Sequence, residues 1–380
     1  MESLLSKSPK NGSGRNLSKR ALPVVALPTD FEIVLGLIDA ARTRAVAAVN
    51  TTLIELYWSI GEYITRKIAE DAWGQGTVEA LAETIKRRFP TMRGYSAQNL
   101  WRMRQFYATY CDQPKLSALL RELSWTHNLL IIGKSKREDE REFYLRMACS
   151  QKWSSRELER QLAGALFERV ALSPTRLSAP LRELHPDAAT VFKDSYLIEF
   201  LDLPSEHSED DLQRGLVEQL KKFLIELGRD FCYVGSQYPL QVGGRDFELD
   251  LLFFNRALNC LVAIELKVVE FEPEHLGKLQ FYLEALDRDV KKAHEQPTIG
   301  VLLCATKNHE VVEYALSRTM SPALVSEYKT RMPDKKLLQA KLHEFYELAQ
   351  QTNPVDDAII SPRPVAKSPA KKSKPKKGRL

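Results

Sequence analysis

Apolar residues along this chain change their spacing near its middle. From about 29 to 170 they recur at helical intervals, with breaks at Gly74-Gln75-Gly76, at Pro90-Thr91-Met92-Arg93-Gly94, at Pro114 and at Gly133. Ser154 with Glu157 reads as a capping box that opens a further helix, ended by Pro174. The pattern predicts an all-helical domain over 27–171. A less regular connector with Pro174, Pro180, Pro186 and Pro204 is expected over 172–208. The spacing then alternates between helix and strand. A helix near 210–227 places Leu212, Leu216, Leu220, Phe223 and Leu227 on one face. Strands are predicted near 231–237, 239–242, 246–254, 260–269, 298–305 and 323–327, with helices near 273–287, 308–318 and 334–350. The fold class is therefore α + α/β: a helical half, then a mixed-sheet domain over 209–352.

Composition narrows the class of protein. Hydrophobic residues at 44% and charged residues at 28% are ordinary for a globular chain. No apolar run approaches the roughly 18 residues that span a bilayer, and no signal-peptide core is visible, so no membrane partner is expected. Cys111, Cys149, Cys232, Cys260 and Cys304 lack zinc spacing and read as reduced thiols of a cytoplasmic, nucleoid-associated protein. The histidines show no ligand spacing, and no Walker A loop or dinucleotide fingerprint is present, which excludes an ATP-driven motor. The net charge of +5 is unevenly spread: residues 1–20 carry +4 and residues 361–380 carry +8, which leaves −7 for 21–360. Both tails, 1–26 and the Lys/Pro-rich 353–380, are expected to be disordered. The second tail can neutralise phosphates, or act only as a solubilising extension.

The segment Asp246–Val269 carries the chemistry. It reads as two apolar strands joined by a turn inside 255–260, with Asp250, Glu265 and Lys267 where a buried strand should hold no charge. By alternation, Val262, Ile264, Leu266 and Val268 share one face, and Ala263, Glu265 and Lys267 the other. In the first strand, Phe247, Leu249, Leu251 and Phe253 are expected together, with Glu248, Asp250 and Leu252 opposite. Asp250 and Glu265 meet only in the register that pairs Asp250 with Glu265 and Phe254 with Leu261. Two carboxylates so held repel, and a divalent cation, Mg²⁺ or Mn²⁺, relieves the repulsion. The Leu266 carbonyl is a further candidate ligand, and Lys267 can orient water or stabilise charge on a phosphodiester. The alternative is structural: Asp250 salt-bridged to Lys267, with Glu265 at a wet strand end.

Leu249-Asp250-Leu251-Leu252-Phe253 and Ile264-Glu265-Leu266-Lys267 resemble the PD-(D/E)XK nuclease superfamily, and within it the YhcG-type family. The resemblance extends into the helical half through Gly94-Tyr95-Ser96, the run Asn99–Tyr107, Leu123-Ser124-Trp125 and Trp153–Leu158, and covers about 30 to 350. It implies a restriction-endonuclease-like domain with Asp250, Glu265 and Lys267 at the catalytic positions and a divalent metal as cofactor. One departure stands out. Such folds often carry a further acid on the helix before the sheet, where this chain has Gln213 on the apolar face and Glu218 on the solvent side. Gln213 and Gln280 are accessory candidates; Gln280 with Tyr282 echoes a Gln/Tyr feature of some branches, with packing the plainer role.

Between Thr84 and Cys111 there is no acidic residue. Lys86, Arg87, Arg88, Arg93, Arg102 and Arg104 fall in this stretch, on a helix near 77–89, a turn with Gly94, and a second helix N-capped by Ser96 and running through Tyr110. This spacing predicts a helix-turn-helix, winged-helix-like DNA-binding unit with Arg87, Arg88, Arg93, Arg102 and Arg104 on nucleic acid. Arg102 and Arg104 diverge by about 200° around a helix, so both cannot enter one groove. Leu100, Trp101, Met103 and Phe106 belong to a core. A helical bundle with a solvated basic face fits the same spacing. The expected activity is metal-dependent phosphodiester hydrolysis in DNA. A structured-RNA nuclease and a non-catalytic nucleic-acid-binding adaptor on a nuclease fold remain open, and a homodimer is one arrangement the sequence allows.

Overall fold

The computed structural model describes residues 29–70 and 73–352. The expected tails, 1–26 and 353–380, lie outside the described residues. The helical half is built on one 41-residue helix, Thr29–Ala69. Its C-terminal part packs against Ala97–Tyr110 and Ser117–Glu122. Gly61 is the point of closest approach: a Cβ there would fall 2.2 Å from Met103 O, so only glycine fits. Tyr57, Trp58, Phe106 and Trp125 fill the seam edge to face. The basic hairpin forms as predicted, Gln75–Arg88 followed by Ala97–Tyr110, with Ser96 Oγ accepting from Asn99 N at the second N-terminus. The wing does not: among the described residues the first strand begins only at Ser195. The short apolar stretches up to 172 form helices, the earlier ones packed on the long helix and the later ones on each other, so this half is a helical bundle.

The second half is a six-stranded mixed sheet in the order β1-β6-β5-β4-β3-β2. Its strands are β1 Ser195–Leu197, β2 Phe231–Val242, β3 Arg245–Asn255, β4 Cys260–Glu270, β5 Gln296–Thr306 and β6 Ala323–Lys329. β2, β3 and β4 form an antiparallel meander, and β4, β5, β6 and β1 run parallel. One apolar core lies between the sheet and the helices Glu209–Glu218 and Leu220–Leu227. A second lies under His275–Asp289 and His309–Ser317.

Several expectations change here. The helix foreseen over 210–227 is two helices, bent at Gln219. β2 is one bulged strand, not two. The connector over 172–208 contributes β1 to the sheet, paired in parallel with β6, so the sheet domain begins before 209. The last helix, Lys335–Thr352, leaves that domain again: Leu342 is buried in the helical core, and Lys335 Nζ reaches Glu140 Oε1 at 3.2 Å. The 209–352 boundary therefore cuts through both halves. A buried ionic cluster joins them. Arg160 of the helical half meets Glu226 Oε2 at 2.8 Å and Glu199 Oε1 at 2.7 Å, and Lys193 Nζ meets Glu226 Oε1 at 3.1 Å.

Face alternation along β3 also departs from expectation. Leu251 and Phe253 enter the first core as predicted, but Leu249 packs with Leu252 in the second. The pleat is interrupted at Asp250. By register, the residue opposite Asp250 on β2 is Gln237, whose φ is 43°, a left-handed backbone that turns β2 at this point.

Candidate active site

β3 and β4 keep the predicted register: Phe254 faces Leu261 and Leu251 faces Ile264. That is their last rung, and Asp250 and Glu265 are the next opposed positions, where the strands part into a fork. The first backbone amide beyond the rung is satisfied by a side chain, since Leu266 N donates to Asp250 Oδ2 at 2.7 Å. In an extended strand the carbonyl of a residue points to the same side as its amide, so Leu266 O also faces the fork. The Asp250 carbonyl is likewise off the ladder and accepts from Gln213 Nε2 at 2.8 Å.

Glu265 is fully buried. Its Oε1 accepts from Lys278 Nζ at 2.5 Å, with Lys267 Nζ at 3.5 Å, and its Oε2 has no hydrogen-bond partner. Such a buried, unsatisfied carboxylate oxygen is costly unless a cation meets it. Lys267 Nζ is held by both oxygens of Glu209, at 3.0 and 2.9 Å. Burial raises the Asp250 carboxyl above its ordinary value, and the hydrogen bond from Leu266 and the charges of Lys278 and Lys267 offset this only in part. Burial, and then the Asp250 charge, likewise raise Glu265. Burial works against the charge of Lys278, but the hydrogen bond and field of Glu265 outweigh it and push its pKa up.

The structure thus brings Asp250, Glu265, Lys267 and Gln213 together. Gln280 lies outside this group, its amide donating to Thr319 Oγ1 at 2.6 Å. Tyr282 ties its helix to β3, donating to Glu248 O at 2.8 Å. Two residues of the cluster are not apparent from the sequence. Glu209 sits four before Gln213 on the same helix face and supplies a helix-borne acid, where the apolar spacing alone gives that face only Gln213. Its position at the first turn, between Ser208 and Asp211 of the capping box, hides it among capping residues. Lys278 sits four before Tyr282, one turn earlier on the same helix. Glu218 is exposed, as expected.

Among the described residues no three of His, Cys, Asp and Glu converge into a metal-binding group. A cation at the fork would rest on Asp250, Glu265 Oε2 and the Leu266 carbonyl, a hard oxygen set suited to Mg²⁺ or Mn²⁺. In the helical half, Arg87, Arg88, Arg93 and Arg102 are exposed. Arg104 is half-buried, its guanidinium 5.5 Å from the Trp101 ring centroid, so packing already engages it. No described helix is long and apolar enough to cross a membrane.

Residues 189–343 match the YhcG PDDEXK nuclease domain, and residues 33–169 match the DUF1016 N-terminal domain. The chain is 33% identical over 358 residues to YhcG of Escherichia coli (strain K12), whose name marks it as a candidate nuclease. That match covers 82% of this chain and 94% of the relative. The chain belongs to the YhcG family. Family membership assigns the sheet domain to the PD-(D/E)XK nuclease fold, and its match begins at 189, inside the segment that supplies β1. Solved structures similar to the YhcG-family chain include a repair endonuclease from Pyrococcus abyssi, at 15% identity and a TM-score of 0.23, over 34% of this chain and 49% of that one. EndoMS in its apo form gives 16% identity and a TM-score of 0.22, over 34% of this chain and 48% of that one.

Proposed function

We propose that the fork cleaves phosphodiester bonds in DNA with the help of a divalent cation. The observation that carries this reading is the pair of half-open carboxylates: Asp250 and Glu265 sit side by side where β3 leaves β4, and Glu265 Oε2 is buried without a partner. A bound Mg²⁺ or Mn²⁺ would supply Lewis acidity toward a phosphate oxygen and a more acidic water. The residues of the chain do the rest. Asp250 fixes the Leu266 backbone and so aims the adjacent carbonyl into the fork. Gln213 donates to the Asp250 carbonyl and so steadies the backbone that carries the carboxylate. Lys267, positioned by Glu209, places a positive charge beside the carboxylates, where the negative charge of a phosphodiester must be offset during attack. The exposed Arg87, Arg88, Arg93 and Arg102 supply phosphate contacts outside the site.

A non-catalytic nucleic-acid-binding role has one observation in its favour: Lys278 and Lys267 already pair with Glu265 and Glu209. One experiment separates the two. Plasmid, branched DNA and RNA are incubated with the protein with and without Mg²⁺ or Mn²⁺, beside Asp250→Ala and Lys267→Ala. Metal-dependent nicking of DNA that both substitutions abolish is expected. Retention of DNA with no cleavage under any metal would favour the binding role, and cleavage of RNA alone would replace the substrate.

A further inference from the structure

The first helix carries an apolar stretch that nothing in its own chain covers among the described residues. Between Leu37 and Val49 every side chain whose exposure is described is exposed: Leu37 to 64%, Val46 to 71% and Val49 to 68%. The other described positions in this stretch are alanines, Ile38 and Arg44. Burial begins only at Ile54. Leu37, Ile38, Val46 and Val49 left in water each carry a free-energy cost, and the polar residues of this stretch, Asp39, Arg42, Thr43 and Arg44, lie between the two apolar pairs.

Beside the base of this stretch lies an open groove of about 760 Å³, lined on its apolar side by Val46, Ala47, Ala118, Leu123, Ala148 and Trp153. The charges at its rim are already matched within the chain, Arg121 with Glu55 at 3.2 Å and Lys152 with Glu122. The groove therefore suits an occupant that is apolar and carries little charge, which is what the projecting helix offers. Helix and groove on one chain each lack what the other supplies.

We propose that the projecting helix docks into the groove of a second copy of the chain and receives the partner's helix in its own. The exchange is reciprocal, the same patch on both copies, and closes as a two-fold dimer without leaving a free face to grow from. Residues 1–28 are a poorer fit to this face. Their first twenty are polar and basic, and the apolar stretch after them is bounded by Pro23 and Pro28. Nucleic acid is poorer still, because Arg121 and Lys152, the arginine and lysine of the groove, are already matched within the chain.

Sedimentation velocity on the full chain tests this. The wild-type protein at micromolar concentration is expected at twice the 43.4 kDa of one chain. Val46→Glu with Val49→Glu is expected at one-chain mass, with dimer affinity weakened at least ~100-fold by two buried charges and far-UV circular dichroism unchanged, since both sites are on the surface. A wild-type protein of one-chain mass, or a double variant that still sediments as a dimer, would overturn the proposal. So would a monomeric wild type whose melting temperature drops with Val46→Glu, because a segment of the same chain would then cover this face.

Discussion

Lys278 Nζ lies 2.5 Å from Glu265 Oε1, and this single contact decides how much of the carboxylate is left for anything else. One oxygen is occupied and the other, Oε2, is buried and bare. Lys278 also lowers the pKa of Asp250 and of Glu265 against the larger raising effect of burial. Cleavage that needs both groups ionised is therefore lost on acidification above the ordinary carboxylate range of about 4. Lys278→Met is expected to move this acid limb of the kcat/KM profile upward, and Lys278→Arg to leave it in place. A limb that stays put in Lys278→Met would separate Lys278 from the site.

Asp250→Asn should trade activity for stability. A carboxyl whose folded pKa is raised favours folding below its unfolded pKa and loses that contribution as pH rises through the folded value. At neutral pH the charge of Asp250 is thus a burden on the metal-free protein. An amide oxygen can still accept from Leu266 N. Asp250→Asn is expected to stabilise the metal-free protein by about 1 kcal/mol, or ~2–4 °C in Tm, with the gain fading below about pH 4 and cleavage abolished. Scanning calorimetry at two pH values reads this out, and an equal gain at both would contradict it.

Gln213 is a donor, and its replacement by an acid is not equivalent. Its Nε2 donates to Asp250 O, whereas a carboxylate would set two acceptors against each other. Gln213→Glu should cost the metal-free protein about 1–3 kcal/mol in urea unfolding. No loss would mean that the hydrogen bond is dispensable.

The arginines of the helical half divide into two kinds. Replacing the exposed Arg87, Arg88 and Arg93 by Glu should flatten the dependence of DNA affinity on salt by a slope of about 3, one for each phosphate no longer neutralised. Arg104→Ala, which removes the guanidinium over Trp101, is expected to lower Tm and leave that slope alone. Fluorescence anisotropy across a salt series distinguishes them; equal slopes in all the proteins would remove the basic face from DNA binding.

Acid should open the seam between the halves before it unfolds either. Burial raises the Glu226 carboxyl, but Lys193, Arg160 and Arg169 pull it down from 4.5 to about 2. A depressed folded pKa means stability that is present above the unfolded value and lost as pH falls toward the folded one, here from about 4.5 to about 2. Glu226→Gln leaves Arg160 and Lys193 short of a counter-charge and is expected to cost ~3–5 kcal/mol at neutral pH. A variant that melts like the wild type would show the cluster to be neutral in stability.

The register of the fork is legible in the sequence because three charges interrupt two apolar strands, and only one pairing lets Asp250 and Glu265 meet. The face of Leu249 is not legible. It follows from the left-handed backbone at Gln237, and glutamine gives no sign of that conformation as glycine would. β1 is three residues long, too short for a period of two to show, and lies among prolines. Glu209 and Lys278 sit on helices whose spacing places them within reach of the site, but only the tertiary structure says which turn faces it. The partner of the last helix is likewise a tertiary fact, since its apolar positions would suit either core.

The return of Lys335–Thr352 to the helical half has a consequence for synthesis. Leu342 completes a core whose other buried members lie between Ile54 and Phe167, so that core is unfinished until the helix carrying Leu342 has left the ribosome. The nuclease domain is by then already made and sits as an insertion within the bundle it interrupts. A ribosome adding roughly 5–20 residues per second leaves the bundle incomplete for ten seconds or more. The last helix thus acts as a latch, and a chain cut short before it would release a folded catalytic sheet tethered to an open bundle.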